Sequence, residues 1–303
     1  MNADIVREFS AAIAGPDHEV DLFGAAIAIA NIGRLDNPSH PVDGHAIARE
    51  LDLIAEAVRE HAGSPHEGHP SATNSLDPGV LAHAVDHQLF TVLGYHGNAS
   101  DYNDPANSYL DEVVAQRSGI PITLSLVYME VAQRIGLQCD GIGYPGHFII
   151  RCGGPETPIY VDPFHQGARL DREELLAGLR SVHLGGASPE SFLSAITRRQ
   201  MLQRMLNNLH LIFREQRDIP RWHLTVELLL ALEPWNAALT GERGMLHYRL
   251  GEPQKALADL ERYVGASANT QHSTSTEGSP VSAGALRLLD ELRLHFGDAE
   301  GHQ

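Results

Sequence analysis

Apolar residues in the first hundred positions recur at helical spacing. Between Asp21 and Ile32 the stripe is Leu22, Phe23, Ala25, Ala26, Ile29 and Ala30, and a second consists of Ile47, Leu51, Ile54, Ala55 and Val58. Recurrence at i, i+3, i+4 and i+7 puts these side chains on one face of a helix, the face a core can cover. Val80 to Leu93 resumes the period after a stretch from Gly63 to Pro78, rich in Gly, Pro, Ser and His, that reads as a loop. From Tyr109 to Gly136 the pattern is again helical, with a break at Gly119-Ile120-Pro121. Proline suits the first turn of a helix, where its missing N–H is no loss, so a new helix is predicted from Pro121 to Ile135, stopped by Gly136.

Beyond Gly136 the period shortens to that of strands. Leu137 to Tyr144 and His147 to Cys152 flank Pro145-Gly146, a good central pair for a type II turn, and Ile159-Tyr160-Val161 is a third short strand ending at Asp162-Pro163. A helix followed by antiparallel strands gives an α+β core. From about Pro189 the chain is helical and weakly repetitive. Phe213, Trp222 and Pro234 mark one unit, Gly244, Gly251 and Ala256 the next, and superposing Leu209 on Arg243 requires a shift of 34 residues. That is the tetratricopeptide period, and Gly244 to Leu260 resembles one such repeat. Two units are fewer than usually stand alone, so they are expected to pack on the core. Ala266 to Gly284 is Ser/Thr/Gly-rich and reads as a flexible linker before a last helix from Ala285 to Phe296. The expected division is 1–100 as the helical N-terminal part of the core domain, 101–188 as the core proper, 189–264 as repeat-like helices, 265–284 as linker, and 285–303 as terminal helix and tail.

Composition narrows the classes of function. Among 303 residues, 22 are basic and 39 acidic, a formal charge of −17 that repels phosphate backbones and anionic lipid. Nucleic acid and membrane surfaces are therefore poor partners. No apolar run approaches the ~20 residues needed to cross a bilayer. The N-terminus, Met1 to Glu8, lacks the basic-then-apolar order of a signal peptide. Two cysteines make no disulfide framework, so a cytoplasmic location is expected.

Most of the chemistry lies between Tyr102 and His165. The stretch carries Asn103, Asp104, Asn107, Ser108 and Tyr109, then Arg117-Ser-Gly119-Ile-Pro121-Ile-Thr123, then Gly143-Tyr144-Pro-Gly146-His147-Phe148, and finally Val161-Asp162-Pro163-Phe164-His165-Gln-Gly167. In this order and spacing the motifs resemble the transglutaminase-like superfamily, and within it a bacterial subfamily first linked to regulation of invasion genes, in which tetratricopeptide repeats follow the core. The resemblance spans roughly Asp21 to Val264. It implies a papain-like core and a Cys-His-Asp triad, with the cysteine at the head of the buried helix, histidine as base on the next strand, and aspartate on the following strand fixing the imidazole. His147 and Asp162 match the last two. Counting back from Gly136, the nucleophile falls at Pro121 or one residue either side, where there is no cysteine.

Proline has no nucleophilic atom, so a covalent thioester cannot form there. Thr123 and Ser125 carry hydroxyls nearby, and Thr123 is the weak alternative nucleophile. If the hairpin turns at Pro145-Gly146, Cys139 lies opposite Cys152, either as a redox pair or as two half-buried thiols. His147, Asp162 and His165 alternatively make an open metal site, although their spacing matches no recognised metalloenzyme motif. His83 and His87, beside Asp86, share a helix face but read as surface histidines; His61, His66 and His69 offer at most adventitious metal binding. Asn103, Asp104, Asn107 and Ser108 suit caps and Asx-turns at the helix entry, with a role in lining the cleft as the other reading. Arg198, Arg199 and Arg204 are expected to pair with acidic side chains of the core.

Two functions follow. In the first, the chain is a non-catalytic regulatory or protein-binding protein, without cofactor or metal, that takes a protein or peptide partner in its degenerate cleft (Asn107, Tyr144, Phe148, His165) and on its repeat helices. In the second, it is a hydrolase or acyl transferase in which His147 and Asp162 serve a nucleophile other than cysteine.

Overall fold

The computed structural model describes residues 2–63, 77–154, 157–180, 187–270 and 280–300. The readings for His66 and His69, and for the middle of the Ser/Thr/Gly-rich segment, lie outside these residues. In chain order the helices and strands are α1 (Asn2–Ala12), α2 (Leu22–Ala30), α3 (Gly44–Gly63), α4 (Pro78–Asp86), β1 (His96–Gly97), α5 (Leu110–Gln116), β2 (Ser118–Gly119), α6 (Pro121–Arg134), β3 (Cys139–Ile142), β4 (Ile149–Cys152), β5 (Ile159–Asp162), β6 (Ala168–Leu170), α7 (Arg172–Arg180), α8 (Arg198–Gln216), α9 (Ile219–Leu232), α10 (Ala237–Arg249), α11 (Pro253–Thr270) and α12 (Pro280–Glu300). They form two compact units, Ala11–Met205 and Met1–Ser10 with Leu206–Gln303. The division falls inside α8, some way past the boundary drawn at residue 189.

In the first unit α6 is the central element. Every residue from Pro121 to Tyr128 is buried, so the helix has no solvent face over its first two turns. Its start at Pro121 and its stop at Gly136 are as the sequence predicts, and the Leu137 and Gly136 amides close the last turn onto the Ala132 and Gln133 carbonyls. One face of the sheet packs on α6 through β3 and β4. Ile142, Ile149 and Tyr160 point the other way, onto Leu175, Leu176 and Leu179 of α7 and Leu193. The sheet is an antiparallel meander, β3-β4-β5-β6. Gly146, at φ +70°, turns the first hairpin, and the His147 amide returns to the Tyr144 carbonyl at 3.0 Å. The expected pairing of Cys139 with Cys152 is the observed register. The sequence reading lacked β6 and α7, and also the short parallel pair β1–β2. The predicted helix from Val80 to Leu93 changes at His87 into a π-helical turn running to Val92.

In the second unit, α8–α9 and α10–α11 correspond to the two repeats. Glu242 accepts hydrogen bonds from His210 Nε2 and Trp222 Nε1, joining helices of both repeats. A Cβ on Gly244 would stand 3.0 Å from Leu260 Cγ, so a small residue there lets α10 and α11 approach. The linker reading is corrected at both ends: α11 continues to Thr270 and α12 begins at Pro280. Ala285, Leu289 and Leu292 of α12 are buried with Ala256 and Leu260 of α11.

Candidate functional site

Local hydrogen bonds organise the head of α6. Ile120 is extended (φ −90°, ψ 165°) and caps the helix without a side-chain bond, and Pro121 occupies the first turn. The Asn107 carbonyl accepts the Thr123 hydroxyl at 2.5 Å and, more distantly, the Ile120 amide at 3.5 Å. The Asn107 side chain is itself engaged, donating to Asp101 O at 2.7 Å and accepting from Asn98 Nδ2 at 3.1 Å. Asp104 caps the turn before it through the Ala106 amide. At 4% exposure Asn107 is a brace for the helix entry, which removes it from the cleft-lining set. Thr123 is fully buried with its proton committed to a carbonyl, a poor arrangement for a nucleophile.

The hairpin turn brings His147, and the end of β5 brings Asp162, into direct contact: Nε2 to Oδ2 is 2.7 Å. His165 reaches the same oxygen through Nδ1 at 2.8 Å. Oδ1 accepts the amides of Phe164 and His165, at 3.1 and 3.3 Å. Burial pushes the Asp162 carboxyl up, but the hydrogen bonds from His147 and His165 outweigh it and hold the group below the ordinary carboxylate range. A neutral imidazole that donates from Nε2 keeps its lone pair on Nδ1, so His147 is oriented as a base by Asp162. The ligand atoms of His147, Asp162 and His165 all lie within 4.8 Å of one another. Two imidazoles and a carboxylate are also a donor set for a divalent transition ion, which would replace the protons now bridging these atoms.

Aromatic rings surround this contact. Phe164 meets His147 edge-on at 6.1 Å between centroids, and packs likewise against Tyr102 at 6.1 Å and His165 at 5.2 Å. Phe164 and Tyr102 belong to the quoted motifs but carry no expected role, because only the fold brings the two rings together at the site. Tyr144 and Phe148 depart from their expected place in the cleft. The Tyr144 hydroxyl donates to Leu175 O of α7 at 3.0 Å, and Phe148 is a core side chain, 1% exposed, beneath the Arg204 guanidinium. The arginines are also corrected. Their guanidinium groups bind backbone carbonyls: Arg198 that of Val20, Arg199 those of Ile13 and Gly15, and Arg204 that of His147 at 2.8 Å. Among the described residues, it is the amides of Arg198 and Arg199 that meet a carboxylate, Asp17. His83 is exposed as expected, but His87 is half-buried and stacked on His61 at 4.2 Å. Asp86 pairs with Arg169 and Tyr128. A surface recess of about 400 Å³ beside Arg34, Val42 and Asp111 includes none of the His147–Asp162 site.

Comparison with known proteins agrees with this architecture. A family model described as the transglutaminase-like superfamily matches residues 45–207, and one described as tetratricopeptide repeat matches residues 209–279. A UPF0162 protein of Xylella fastidiosa (strain Temecula1) is 36% identical over 219 residues, 71% of this chain and 77% of its own. A UPF0162 protein of Vibrio cholerae is 26% identical over 206 residues, 67% of this chain and 74% of its own. F-box only protein 21 of Mus musculus is 27% identical over 257 residues, 78% of this chain but 39% of the longer mouse protein. No helix among the described residues is long and apolar enough to cross a membrane. On the family match, the relatives and the architecture together, the chain belongs to the transglutaminase-like superfamily, with tetratricopeptide repeats following that domain.

Proposed function

We propose that this chain is a non-catalytic protein- or peptide-binding member of its superfamily, acting in regulation. The observation that carries the reading is the identity of the first residue of α6. Pro121 stands where the resemblance places the nucleophile, while His147 and Asp162 keep a 2.7 Å hydrogen bond. Acyl transfer through a thioester needs an atom that the pyrrolidine ring lacks. Thr123 does not substitute for it, being buried and bonded to Asn107 O. Repeat helices of the tetratricopeptide kind, which supply grooves for helices or extended peptides, support the binding role.

The test has two arms on the full chain. The native protein is expected to incorporate no primary amine into glutamine peptides, to cleave no amide or ester, and to resist hydroxyl probes at Thr123. Pro121→Cys is expected to gain a thiol that iodoacetamide alkylates near neutral pH, because a helix N-terminus favours thiolate. Turnover by the native protein that vanishes in His147→Ala overturns the proposal. That outcome supports the second reading, a hydrolase or acyl transferase in which the Asp162-oriented imidazole activates water, which the intact His147–Asp162 bond favours.

A further inference from the structure

We propose that Cys139 and Cys152 are the two halves of a reversible cross-strand disulfide that clamps the open end of the β3–β4 hairpin. The argument starts from register. Cys139 and Cys152 are direct partners across the antiparallel pair. The Gly153 amide bonds to the Gln138 carbonyl, and the His147 amide to the Tyr144 carbonyl. Hydrogen-bonded pairs alternate with non-hydrogen-bonded ones along such a ladder, so with 138–153 and 144–147 bonded, 139–152 is a non-hydrogen-bonded pair. Those pairs bring Cα atoms to about 4.5 Å, inside the 4.4–6.8 Å range that a disulfide spans. As direct partners in the register, the two side chains also point to the same face of the sheet. Both cysteines are free thiols, Cys152 buried and Cys139 partly open to solvent.

The environment sets the chemistry. Hydrogen bonding to Cys152, then burial, pushes the Cys139 thiol above its ordinary range, with Asp140 and Asp86 adding to the effect. The thiolate is therefore scarce at neutral pH, so a small oxidant that reaches the pair reacts slowly there and faster as pH rises. A hydroperoxide is that class. The Cys139 sulfur attacks one peroxide oxygen, the O–O bond breaks, and sulfenic acid and water form. The Cys152 sulfur then attacks the Cys139 sulfur, expelling hydroxide, which takes up the Cys152 proton as a second water. Two thiols are oxidised to one disulfide and one peroxide is reduced to two waters. A thiol on the directly opposite residue intercepts the sulfenic acid before it oxidises further. The linkage closes a loop that contains the Pro145-Gly146 turn and His147, and it ties β4 to β3 beside β5, which ends in Asp162.

The full chain, treated with hydrogen peroxide at neutral and alkaline pH, is expected to lose the mass of two hydrogens. Both thiols should vanish from titration in denaturant, and a peptide pair joined through Cys139 and Cys152 should appear on non-reducing digestion. The reaction should be faster at the higher pH, and the product should melt roughly 5 °C higher, with dithiothreitol reversing both changes. Cys139→Ser and Cys152→Ala should each abolish the mass loss. Because the native chain alone gives the decisive reading, a variant that folds poorly does not weaken the test. The proposal is overturned if both thiols survive, if Cys139 reaches sulfinic acid while Cys152 stays reduced, if the linkage joins two chains, or if it forms without moving the melting temperature.

Discussion

His147 and Asp162 are joined by a 2.7 Å hydrogen bond, and His165 brings a second imidazole to the same carboxylate oxygen at 2.8 Å. With the amides of Phe164 and His165 on the other oxygen, four donors converge on one buried carboxylate. Such convergence favours the charged form and fixes the end of β5 to the hairpin turn.

Asp162→Asn keeps the shape but turns one acceptor into a donor facing donors. It is expected to cost about 1–3 kcal/mol at pH 7, measured by urea unfolding. The sign of the pH dependence follows from the depressed carboxyl. A folded-state pKa below the unfolded 3.8 gives stability that is complete above that value and lost as pH falls through the folded pKa. The gap between native and variant proteins should therefore narrow below about pH 4. Equal stability of the two proteins at pH 7 refutes the convergent arrangement.

Thr123→Val tests whether the threonine is a brace. The hydroxyl donates to Asn107 O from a fully buried position, so removing it leaves that carbonyl only the longer contact with the Ile120 amide. A loss of about 1–2 kcal/mol is expected, with Thr123→Ser close to the native protein because it keeps the donor. If Thr123→Val unfolds at the native denaturant concentration, the hydroxyl is not holding the helix entry.

How much of this was readable beforehand depends on whether the signal was local. Pro121, Gly136 and Pro145-Gly146 act within a few residues of themselves, so the limits of α6 and the Cys139–Cys152 register follow from them. Asp162 and His147 were legible through their motifs. The strand β6 was not: Ala168, Arg169 and Leu170 carry no strand signature, and their pairing is imposed by β5 after the turn at Gln166 and Gly167, which both have positive φ. The pair β1–β2 joins residues distant in sequence through two positions each. Arg204 gave no hint that it would hold the His147 carbonyl, because a guanidinium can find a carboxylate or a carbonyl with equal ease and only the fold chooses.

Gly97→Ala probes the aromatic wall. A Cβ at this position would lie 2.4 Å from Phe164 Cδ2 and 2.6 Å from its Cγ, too close for the ring to stay where it is. Phe164 is held there from two sides, its carbonyl accepting the Gly97 amide at 3.1 Å and its ring meeting His147 and Tyr102. The substitution is expected to destabilise the protein by about 1–3 kcal/mol and to shift the ring-proton resonances of His147. Native stability with unmoved His147 signals contradicts the packing described.

His223 is expected to set the acid limb of stability in the repeat helices. It is 6% exposed, its Nε2 has no hydrogen-bond partner among the described residues, and its Nδ1 stands 3.8 Å from Glu227. His247 lies 4.5 Å away between ring centroids and is held by Glu252, while Arg243 is bonded to Asp259. Burial, then the proximity of His247, drives the His223 pKa down to about 4 from 6.5, against the pull of Glu252. The unfolded chain binds a proton at this histidine as pH falls through 6.5, whereas the folded chain resists until about 4. Its contribution is thus intact above pH 6.5 and is lost between 6.5 and 4, a loss on the order of 3 kcal/mol. Trp222, in α9, and Trp235, just after it, are the two tryptophans of the chain, so their fluorescence reports unfolding of this unit. His223→Phe fills the same space without titrating, and its unfolding midpoint should fall less steeply from pH 6.5 to 4 than that of the native protein. Parallel slopes would place the acid sensitivity elsewhere, because a side chain that cannot bind a proton leaves no term to vary with pH.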